Sequence, residues 1–437
     1  MPAPAVSTVR QAARSMKALA PSLASLTTAA KNAALAAMAD ALRRSAVAVS
    51  EANQSDLDDA EATGLDKPLL SRLKFQAEKI ASAAEGVEAV AKLADPVGRT
   101  LSARELDRGL TLFQVTCPLG VVAMIFESRP DALVQMAALA LKSGNAVILK
   151  GGSEAKRSNR VLADLLHAAA VSTGIPSGWL FLAESREDVS AILDLNDAID
   201  LIIPRGSNEF VQHIMRNTTI PVLGHADGIC HVYIDGNADV EKAVAIVVDS
   251  KTQYVAVCNA VETLLVHRDI APFVLPPLKL ALEARAVELR GDAATRATLP
   301  GIAEAGEADW ETEYLDLILS IRVVGSLDEA VAHINTYGSR HTDSIVTEDR
   351  ATAEAFMNGV DSANVFWNAS TRFADGFRYG LGAEVGVSTA KIHARGPVGL
   401  EGLVIYKWKL YGSGQIVADY ASGRRSFTHR ELPGGAS

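Results

Sequence analysis

The spacing of apolar residues divides the chain into a helical beginning and two regions in which strands and helices alternate. In residues 30–60, Leu35, Met38 and Leu42 lie on one helical face, and a helical pattern continues over 70–93. Further along the chain, short apolar runs of strand length alternate with helix-length segments. This alternation predicts an α/β protein with parallel sheets, in which ligands bind at the carboxyl ends of the strands.

The first α/β region begins near residue 115, and the second begins near residue 251. The strand candidates of the first region are GVVAMIF (120–126), AVILK (146–150), WLFL (179–182), DLIIP (200–204) and HVYID (231–235). Those of the second region are ETLLVH (262–267), ILSIRVV (318–324), DSIVT (343–347) and ANVFWN (363–368). The helix candidates lie near 131–142, 155–173, 186–195, 207–217, 270–290, 327–335 and 349–358.

Composition excludes several classes of protein. The 437 residues suggest two or three domains, and a net charge of −10 without a basic stripe argues against a general nucleic-acid binder. No run of 18 uncharged apolar residues predicts a membrane span, and the first residues lack the apolar run of a signal peptide. Three cysteines, Cys117, Cys230 and Cys258, do not form a disulfide framework, so we expect reduced thiols and a cytoplasmic location.

Common cofactor and metal motifs are absent from the sequence. The nearest approach to Gly-x-Gly-x-x-Gly is GLGAEVG (380–386), which has one spacer too many and does not follow a first strand. There is no phosphate-binding Gly-x-x-x-x-Gly-Lys-Ser/Thr motif. His225, Cys230 and His231 lie close in sequence but without the usual ligand spacing, so we predict no metal site.

Two segments are candidates for chemistry. Residues 368–402 are dense in glycine and polar side chains, and irregular segments of that length in compact domains are usually functional. Cys258 lies in QYVAVCNAVETLLVH (253–267), just before a strand candidate. Composition alone favours a buried, inert thiol at such a position. A reactive thiol would require a nearby cation or a helix N-terminus.

Several segments resemble the γ-glutamyl phosphate reductases, a branch of the aldehyde dehydrogenase superfamily. CNAVETLLVH is similar to their nucleophile segment, and the similarity runs from about residue 5 to 417. The other similar segments are PLGVVAMIFESRPDALVQMAALALKSGNAVILKGGSEAKRSN (118–159), DLIIPRGSN (200–208), IPVLGHADGICHVYID (220–235), TYGSRHTDSIVTED (336–349) and NASTRFADGFRYGLGAEVGVSTAKIHARGPVGLEGL (368–403). The segments SRPDALVQ and VLGHADGICHVY also resemble the reductase half of plant pyrroline-carboxylate synthases.

The resemblance implies an aldehyde dehydrogenase-like α/β fold with an oligomerisation arm, and therefore a homo-oligomer. It places the cofactor-binding domain at 1–105 and 121–250, and the catalytic domain at 251–385. The arm would comprise 106–120 and 401–417, with a return segment at 386–400 and a tail at 418–437.

The implied reaction reduces L-glutamyl 5-phosphate with NADPH to glutamate 5-semialdehyde, in proline biosynthesis. Cys258 would displace phosphate to form a thioester, and a glutamate kinase is a candidate partner. A thiolate suits this step because it is a strong nucleophile. Hydrolytic aldehyde dehydrogenases activate water with a glutamate where this chain has Val222, and that absence would protect the thioester. The chain departs from the family at Val255, where many members have a proline.

The resemblance also names the site residues. The catalytic candidates are Cys258, Asn259 and Arg129, with Arg129 stabilising the oxyanion or forming only a surface ion pair. The cofactor candidates are Lys150, Gly151, Gly152, Ser153, Pro204, Arg205, Gly206, Ser207 and Glu313. The substrate candidates are Ser128, His225, Asn368, Ser370, Thr371, Arg372, Phe373 and Glu384, with Arg372 suited to a carboxylate and Glu384 to the α-ammonium. Lys150 and Glu313 also fit ordinary surface roles.

Two other functions stay open. An NAD(P)-dependent aldehyde or semialdehyde dehydrogenase would oxidise aldehydes without phosphate. A non-catalytic assembly partner of a glutamate kinase would have an unreactive Cys258.

Overall fold

A computed structural model describes residues 8–127, 129–224 and 227–433, and it describes the backbone alone at positions 67 and 68. The helices are α1 (Val9–Ala24), α2 (Thr28–Arg44), α3 (Ala46–Ala62), α4 (Lys67–Leu73), α5 (Ala77–Lys92), α6 (Pro130–Lys142), α7 (Lys156–Ser172), α8 (Arg186–Leu193), α9 (Asn208–Arg216), α10 (Val240–Thr252), α11 (Ala271–Glu283), α12 (Ala293–Thr298), α13 (Leu327–Tyr337), α14 (Arg350–Gly359) and α15 (Val417–Ala421).

The strands alternate with these helices over most of the chain. They are β1 (Thr100–Asp107), β2 (Leu110–Pro118), β3 (Val121–Phe126), β4 (Ala146–Lys150), β5 (Leu180–Ala183), β6 (Leu201–Arg205), β7 (Cys230–Ile234), β8 (Val261–His267), β9 (Glu288–Gly291), β10 (Ala303–Glu304), β11 (Ile318–Val324), β12 (Thr342–Val346), β13 (Asn364–Trp367), β14 (Gly386–Ser388), β15 (Gly396–Val398), β16 (Val404–Tyr411) and β17 (Arg430–Leu432). The predicted strands and most of the predicted helices are confirmed to within a few residues. Residues 30–60 instead form two helices that meet at Ser45, and the helical pattern over 70–93 is divided between α4 and α5. The helix predicted near 270–290 ends at Glu283, and its last residues belong to strand β9.

The chain folds as two units. The first takes in the chain up to Gly206, Gln212–Val222 and the chain from Gly399 onwards, and the second takes in Ser207–Val211 and Leu223–Val398. The predicted boundary at residue 250 differs from this division because β7 pairs with β8 and β12 of the second unit.

The first unit contains a parallel sheet of order β5-β4-β3-β6 and an antiparallel sheet of order β16-β2-β1-β17. Every residue of β3 is buried, as expected for a central parallel strand covered by helices. The antiparallel sheet contains the predicted arm segments and two strands outside them. β1 begins at Thr100, and β17 belongs to the stretch that we predicted to be a tail.

In the described part of the second unit, the main sheet is parallel and has the order β10-β9-β11-β8-β7-β12-β13. Apolar side chains of β7, β8 and β11 pack against α10 and α11 to form its core. The centre of the sheet is thus held rigidly, and the loops at its strand ends can carry functional groups. No described helix is both long and apolar enough to cross a membrane.

Candidate active site

Cys258, the predicted nucleophile, lies in the loop that joins α10 to β8 in the second unit, and we name residues 253–260 the nucleophile loop. The residue is half-buried, and its thiol is free. The buried Cys230 donates its S–H to the Cys258 carbonyl oxygen at 3.2 Å. Gly228 packs so closely on the same peptide that a Cβ there would lie 2.6 Å from the Cys258 carbonyl carbon. The backbone that presents the thiol is therefore held by close packing.

Asn259 follows the cysteine and ties the nucleophile loop to a second loop. Its side chain is buried, and Nδ2 donates to the Ala374 carbonyl at 2.9 Å. The Asn259 Oδ1 atom is buried and has no hydrogen-bond partner among the described residues. The Nδ2 atom thus holds the two loops together, whereas the Oδ1 atom remains a buried acceptor to which a donor is expected to bind.

The second loop contains most of the predicted substrate residues. Ser370 precedes the 3₁₀ turn Thr371–Phe373 and hydrogen-bonds to the Ser250 hydroxyl at 3.1 Å. Arg372 is buried, and its Nε donates to the Gln253 side chain at 2.9 Å. Phe373 is exposed. The structure thus brings the 370–374 segment against both ends of the nucleophile loop.

Two predicted substrate residues are engaged in holding the backbone. The Asn368 Oδ1 atom accepts the Thr347 N–H and its Nδ2 atom donates to the Thr347 carbonyl, each at 3.0 Å. These two bonds support the left-handed conformation of Asn368 at φ 54°. Glu384 accepts the Gly376 N–H through Oε2 at 2.7 Å. Their roles in substrate binding stay predictions. Ser128 and His225 lie outside the described residues.

A fully buried ion pair joins the two elements that flank the loop of Cys258, and the sequence patterns did not predict it. Lys251 in α10 and Glu262 in β8 are 2.5 Å apart. Burial raises the pKa of Glu262 to about 7, although the Lys251 charge opposes the change. Burial likewise lowers the pKa of Lys251, against the opposing Glu262 charge. A glutamate inside the apolar strand candidate ETLLVH was the available signal, because charges are rarely buried without a partner.

Glu262 also connects to the segment of Glu313. Its Oε1 accepts the Leu315 N–H at 3.3 Å, and Leu315 has a left-handed φ of 53°. The Glu313 Oε2 atom accepts from Asn208 at 2.6 Å, and the same amide donates to Asp227 at 2.9 Å. Glu313 therefore lies beside the first residue of α9, which follows Ser207.

In the first unit, Lys150 ends β4 and is buried. Its ammonium donates to the Gly151 carbonyl at 2.5 Å, and burial lowers its pKa. Among the residues that the structure describes, no carboxylate forms an ion pair with Lys150. A Cβ on Gly151 would lie 2.9 Å from the Asn159 Cγ atom and 3.1 Å from the Phe126 ring, so only glycine leaves room there.

These features suit a dinucleotide. Lys150 forms no ion pair with a described carboxylate, although the charges of Glu154, Asp188 and Glu184 act on it from farther away. The Asn159 Oδ1 atom is buried without a partner in the described chain. Gly152 is the N-cap of the 3₁₀ turn Ser153–Ala155, which leads into α7, so the positive end of a helical segment follows the lysine.

The other predicted residues of this unit lie at strand and helix ends. Pro204 is buried in β6, and Arg205 and Gly206 follow it. Arg129 is exposed at the N-cap of α6. Among the described residues, no group of three or more His, Cys, Asp or Glu side chains is placed to hold a metal ion.

Comparisons with known proteins identify the family of the chain. The profile of the aldehyde dehydrogenase family matches residues 1–302. The chain is 58% identical over 424 residues to the gamma-glutamyl phosphate reductase of Pelotomaculum thermopropionicum, and the alignment covers 97% of this chain and 98% of the relative. It is 59% identical over 410 residues to the reductase of the same name from Acetivibrio thermocellus, covering 94% and 95%.

A solved structure matches nearly the whole chain. The crystal structure of gamma-glutamyl phosphate reductase from Thermotoga maritima superposes with a TM-score of 0.91 at 38% identity, covering 93% of this chain and 99% of that one. Together with the matched family profile, this similarity shows that the chain belongs to the aldehyde dehydrogenase family and, within it, to the gamma-glutamyl phosphate reductases.

Proposed function

We propose that the protein reduces L-glutamyl 5-phosphate to L-glutamate 5-semialdehyde and phosphate, a step of proline biosynthesis from glutamate. The observation that carries the proposal is the 58% identity over 97% of the chain to a named reductase. The placement of Cys258 supports it, because a half-buried thiol with a fixed backbone suits a nucleophile.

In the proposed reaction, the Cys258 sulfur attacks the carbonyl carbon of the acyl phosphate. The bond to the phosphate oxygen then breaks, and the acyl group remains on Cys258 as a thioester. The Cys258 backbone N–H is a candidate donor to the oxyanion, and preorganised donors of this kind stabilise the transition state. Arg129 as a second donor stays a prediction.

The aldehyde dehydrogenase family implies a nicotinamide cofactor, and we propose that it is NADPH. When bound, the cofactor supplies the hydride that reduces the thioester. Lys150 and the Gly151–Ser153 segment would hold its phosphate or ribose groups, together with Pro204, Arg205, Gly206 and Ser207. Glu313, which accepts a hydrogen bond from Asn208, would bind a ribose hydroxyl.

The thioester must survive until it is reduced. Val222 provides no carboxylate to activate water, and we propose that this absence suppresses hydrolysis. Replacement Val222→Glu tests the point: it should introduce turnover of the semialdehyde that needs no phosphate. Unchanged phosphate dependence in that variant would contradict this role of Val222.

The reverse reaction tests the proposed function. Pyrroline-5-carboxylate (in equilibrium with the semialdehyde), phosphate and NADP⁺ are mixed, and the absorbance of the reduced cofactor is followed. We expect phosphate-dependent reduction that is lost in Cys258→Ala. Turnover without phosphate would instead indicate an aldehyde dehydrogenase. No turnover, with slow alkylation of Cys258, would indicate an assembly partner of a glutamate kinase.

We further propose that the protein is a cytoplasmic homo-oligomer. β16 is an edge strand in the described sheet, and its Tyr406, Trp408 and Leu410 side chains share one face and are exposed. Exposed apolar edge strands usually pair with another chain. Light scattering should give a multimer, and a monomer at micromolar concentration would contradict the proposal.

A further inference from the structure

Arg372 is a buried cation whose side chain bonds a neutral group. Its exposed fraction is only 8%, and its Nε bonds the neutral Gln253 side chain. Across residues 8–127, 129–224 and 227–433, no carboxylate forms an ion pair with its guanidinium. Burial of an unpaired charge is strongly unfavourable. This arrangement is therefore expected where a bound anion supplies the missing charge.

The hydrogen bonds place Arg372 beside the nucleophile. Gln253 holds the guanidinium on the chain before Cys258, and Asn259 holds the Ala374 carbonyl immediately after it. The turn that carries Arg372 thus spans the nucleophile loop. The pKa of Arg372 is lowered by burial and by the neighbouring Arg378 charge, and the charges of Cys258, Asp375 and Asp249 oppose that change.

Two further groups of this turn favour an anion. Arg378 donates to the Arg372 carbonyl at 2.7 Å, and its guanidinium forms a long, partly exposed ion pair with Asp375 at 3.7 Å. The Thr371 hydroxyl is fully buried and lacks a hydrogen-bond partner among the described residues. The segment thus offers two guanidinium groups and an unused hydroxyl donor, which suit a tetrahedral oxyanion.

We propose that Arg372, with Arg378 beside it, binds the phosphate group that leaves the acyl carbon, and not the α-carboxylate. This assignment rests on the proposed function. In an acyl phosphate, the phosphate is attached to the carbon that Cys258 attacks, whereas the α-carboxylate lies at the far end of the glutamyl chain. An arginine beside the thiol therefore meets the phosphate first.

The chemistry of the step gives this arginine a role. The bond from sulfur to carbon forms, and the bond from that carbon to the phosphate oxygen breaks. The electron pair leaves with the oxygen, and the proton lost by the thiol ends on the phosphate. Negative charge therefore increases on the phosphate during departure, and a positioned guanidinium stabilises that increase.

The first test separates the two anions of the reaction by kinetics in the reverse direction. In Arg372→Met, we expect the KM for inorganic phosphate to rise by about 10- to 100-fold, as for the loss of a charged hydrogen bond. The KM for pyrroline-5-carboxylate should change by less than about threefold. Arg372→Lys should give an intermediate KM for phosphate because it keeps the charge but not the two-pronged geometry. A raised KM for pyrroline-5-carboxylate with an unchanged KM for phosphate would overturn the assignment.

The second test does not require turnover. Cys258 is alkylated with iodoacetate, which is an anion, and with iodoacetamide, which is neutral. The iodoacetate-to-iodoacetamide rate ratio should fall by about tenfold in Arg372→Met. Inorganic phosphate should slow the alkylation of Cys258 by iodoacetate in the wild type but not in the variant. Arg350→Gln, which removes an exposed arginine of the same unit, is the matched control and should leave the ratio unchanged.

The two tests distinguish failure of the site from failure of the function. Phosphate-sensitive alkylation without phosphate-dependent turnover would support the anion site and refute the proposed reaction. If turnover depends on phosphate but Arg372→Met alters neither the KM for phosphate nor the iodoacetate-to-iodoacetamide rate ratio, the site alone would be refuted. Circular dichroism checks that each variant is folded. If Arg372→Met does not fold, Arg372→Lys replaces it in both tests.

Discussion

Two buried cations lie next to the nucleophile loop, and they differ in their partners. Lys251 is fully buried against Glu262, and the pair is linked to the Leu315 backbone. Arg372 is nearly as buried, but it bonds a neutral amide. A cation that is neutralised within the protein serves the structure, whereas one that lacks a counter-ion is available to a ligand. The same degree of burial therefore has different meanings at the two positions.

The comparison predicts opposite consequences for stability. Lys251→Met should lower the free energy of unfolding by about 3–5 kcal/mol, because it leaves Glu262 buried without a partner. Arg372→Met should leave it unchanged or raise it, because the change removes a buried charge and leaves no other charge unpaired. Urea unfolding at one fixed protein concentration measures both values. A large loss in Arg372→Met would show that its charge is structural and that the two cations do not differ in this way.

The pH dependence of stability tests the Lys251–Glu262 pair more finely. A carboxyl whose pKa is about 7 when folded and 4.5 when unfolded binds more protons in the folded state between those values. Its contribution to stability is therefore present below about pH 4.5 and decreases as the pH rises to about 7. Relative to Glu262→Gln, the free energy of unfolding of the wild type should decrease by at most about 3.5 kcal/mol over that interval, since one pKa unit corresponds to about 1.4 kcal/mol.

Urea midpoints of both proteins at several pH values between 4.5 and 7.5 provide the measurement. Glutamine is the matched replacement because its carbonyl can still accept the Leu315 N–H. If the two proteins changed in parallel with pH, Glu262 would not titrate in that interval.

The sequence predicted the sheets better than the division into units. Each apolar run became a strand, because a run of strand length between helices has few other ways to bury both faces. The HVYID run was placed with the first region because it follows that region along the chain. Its pairing with β8 and β12 depends on contacts that sequence order does not reveal.

The candidate site shows the same limit. Cys258 and the 368–373 segment stood out by composition and resemblance, and the structure brings Cys258 and Arg372 to one place. The tertiary partners of a side chain were not predictable. Asn368 looked like a ligand residue, but its amide holds a left-handed turn, and Lys251 gave no local sign of its buried carboxylate.

Gly228 allows the comparison to be tested without changing either charge. A Cβ there would meet the Cys258 backbone, so Gly228→Ala should displace the thiol from Arg372. We expect about 100-fold lower turnover, because small errors in position strongly affect reactions of this kind. The loss of stability should be only about 1–3 kcal/mol, as for overpacking. The iodoacetate-to-iodoacetamide ratio should also fall, although Arg372 is intact.

Gly86→Ala is the matched control, because Gly86 lies within α5 and a Cβ there meets no atom within 4 Å. That change should raise stability by about 0.5–1 kcal/mol and leave turnover unaltered. If Gly228→Ala retained full turnover and the wild-type rate ratio, the site would tolerate movement of the thiol relative to Arg372. The unpaired cation would then act at longer range, as a source of positive potential and not as a direct ligand of the departing phosphate.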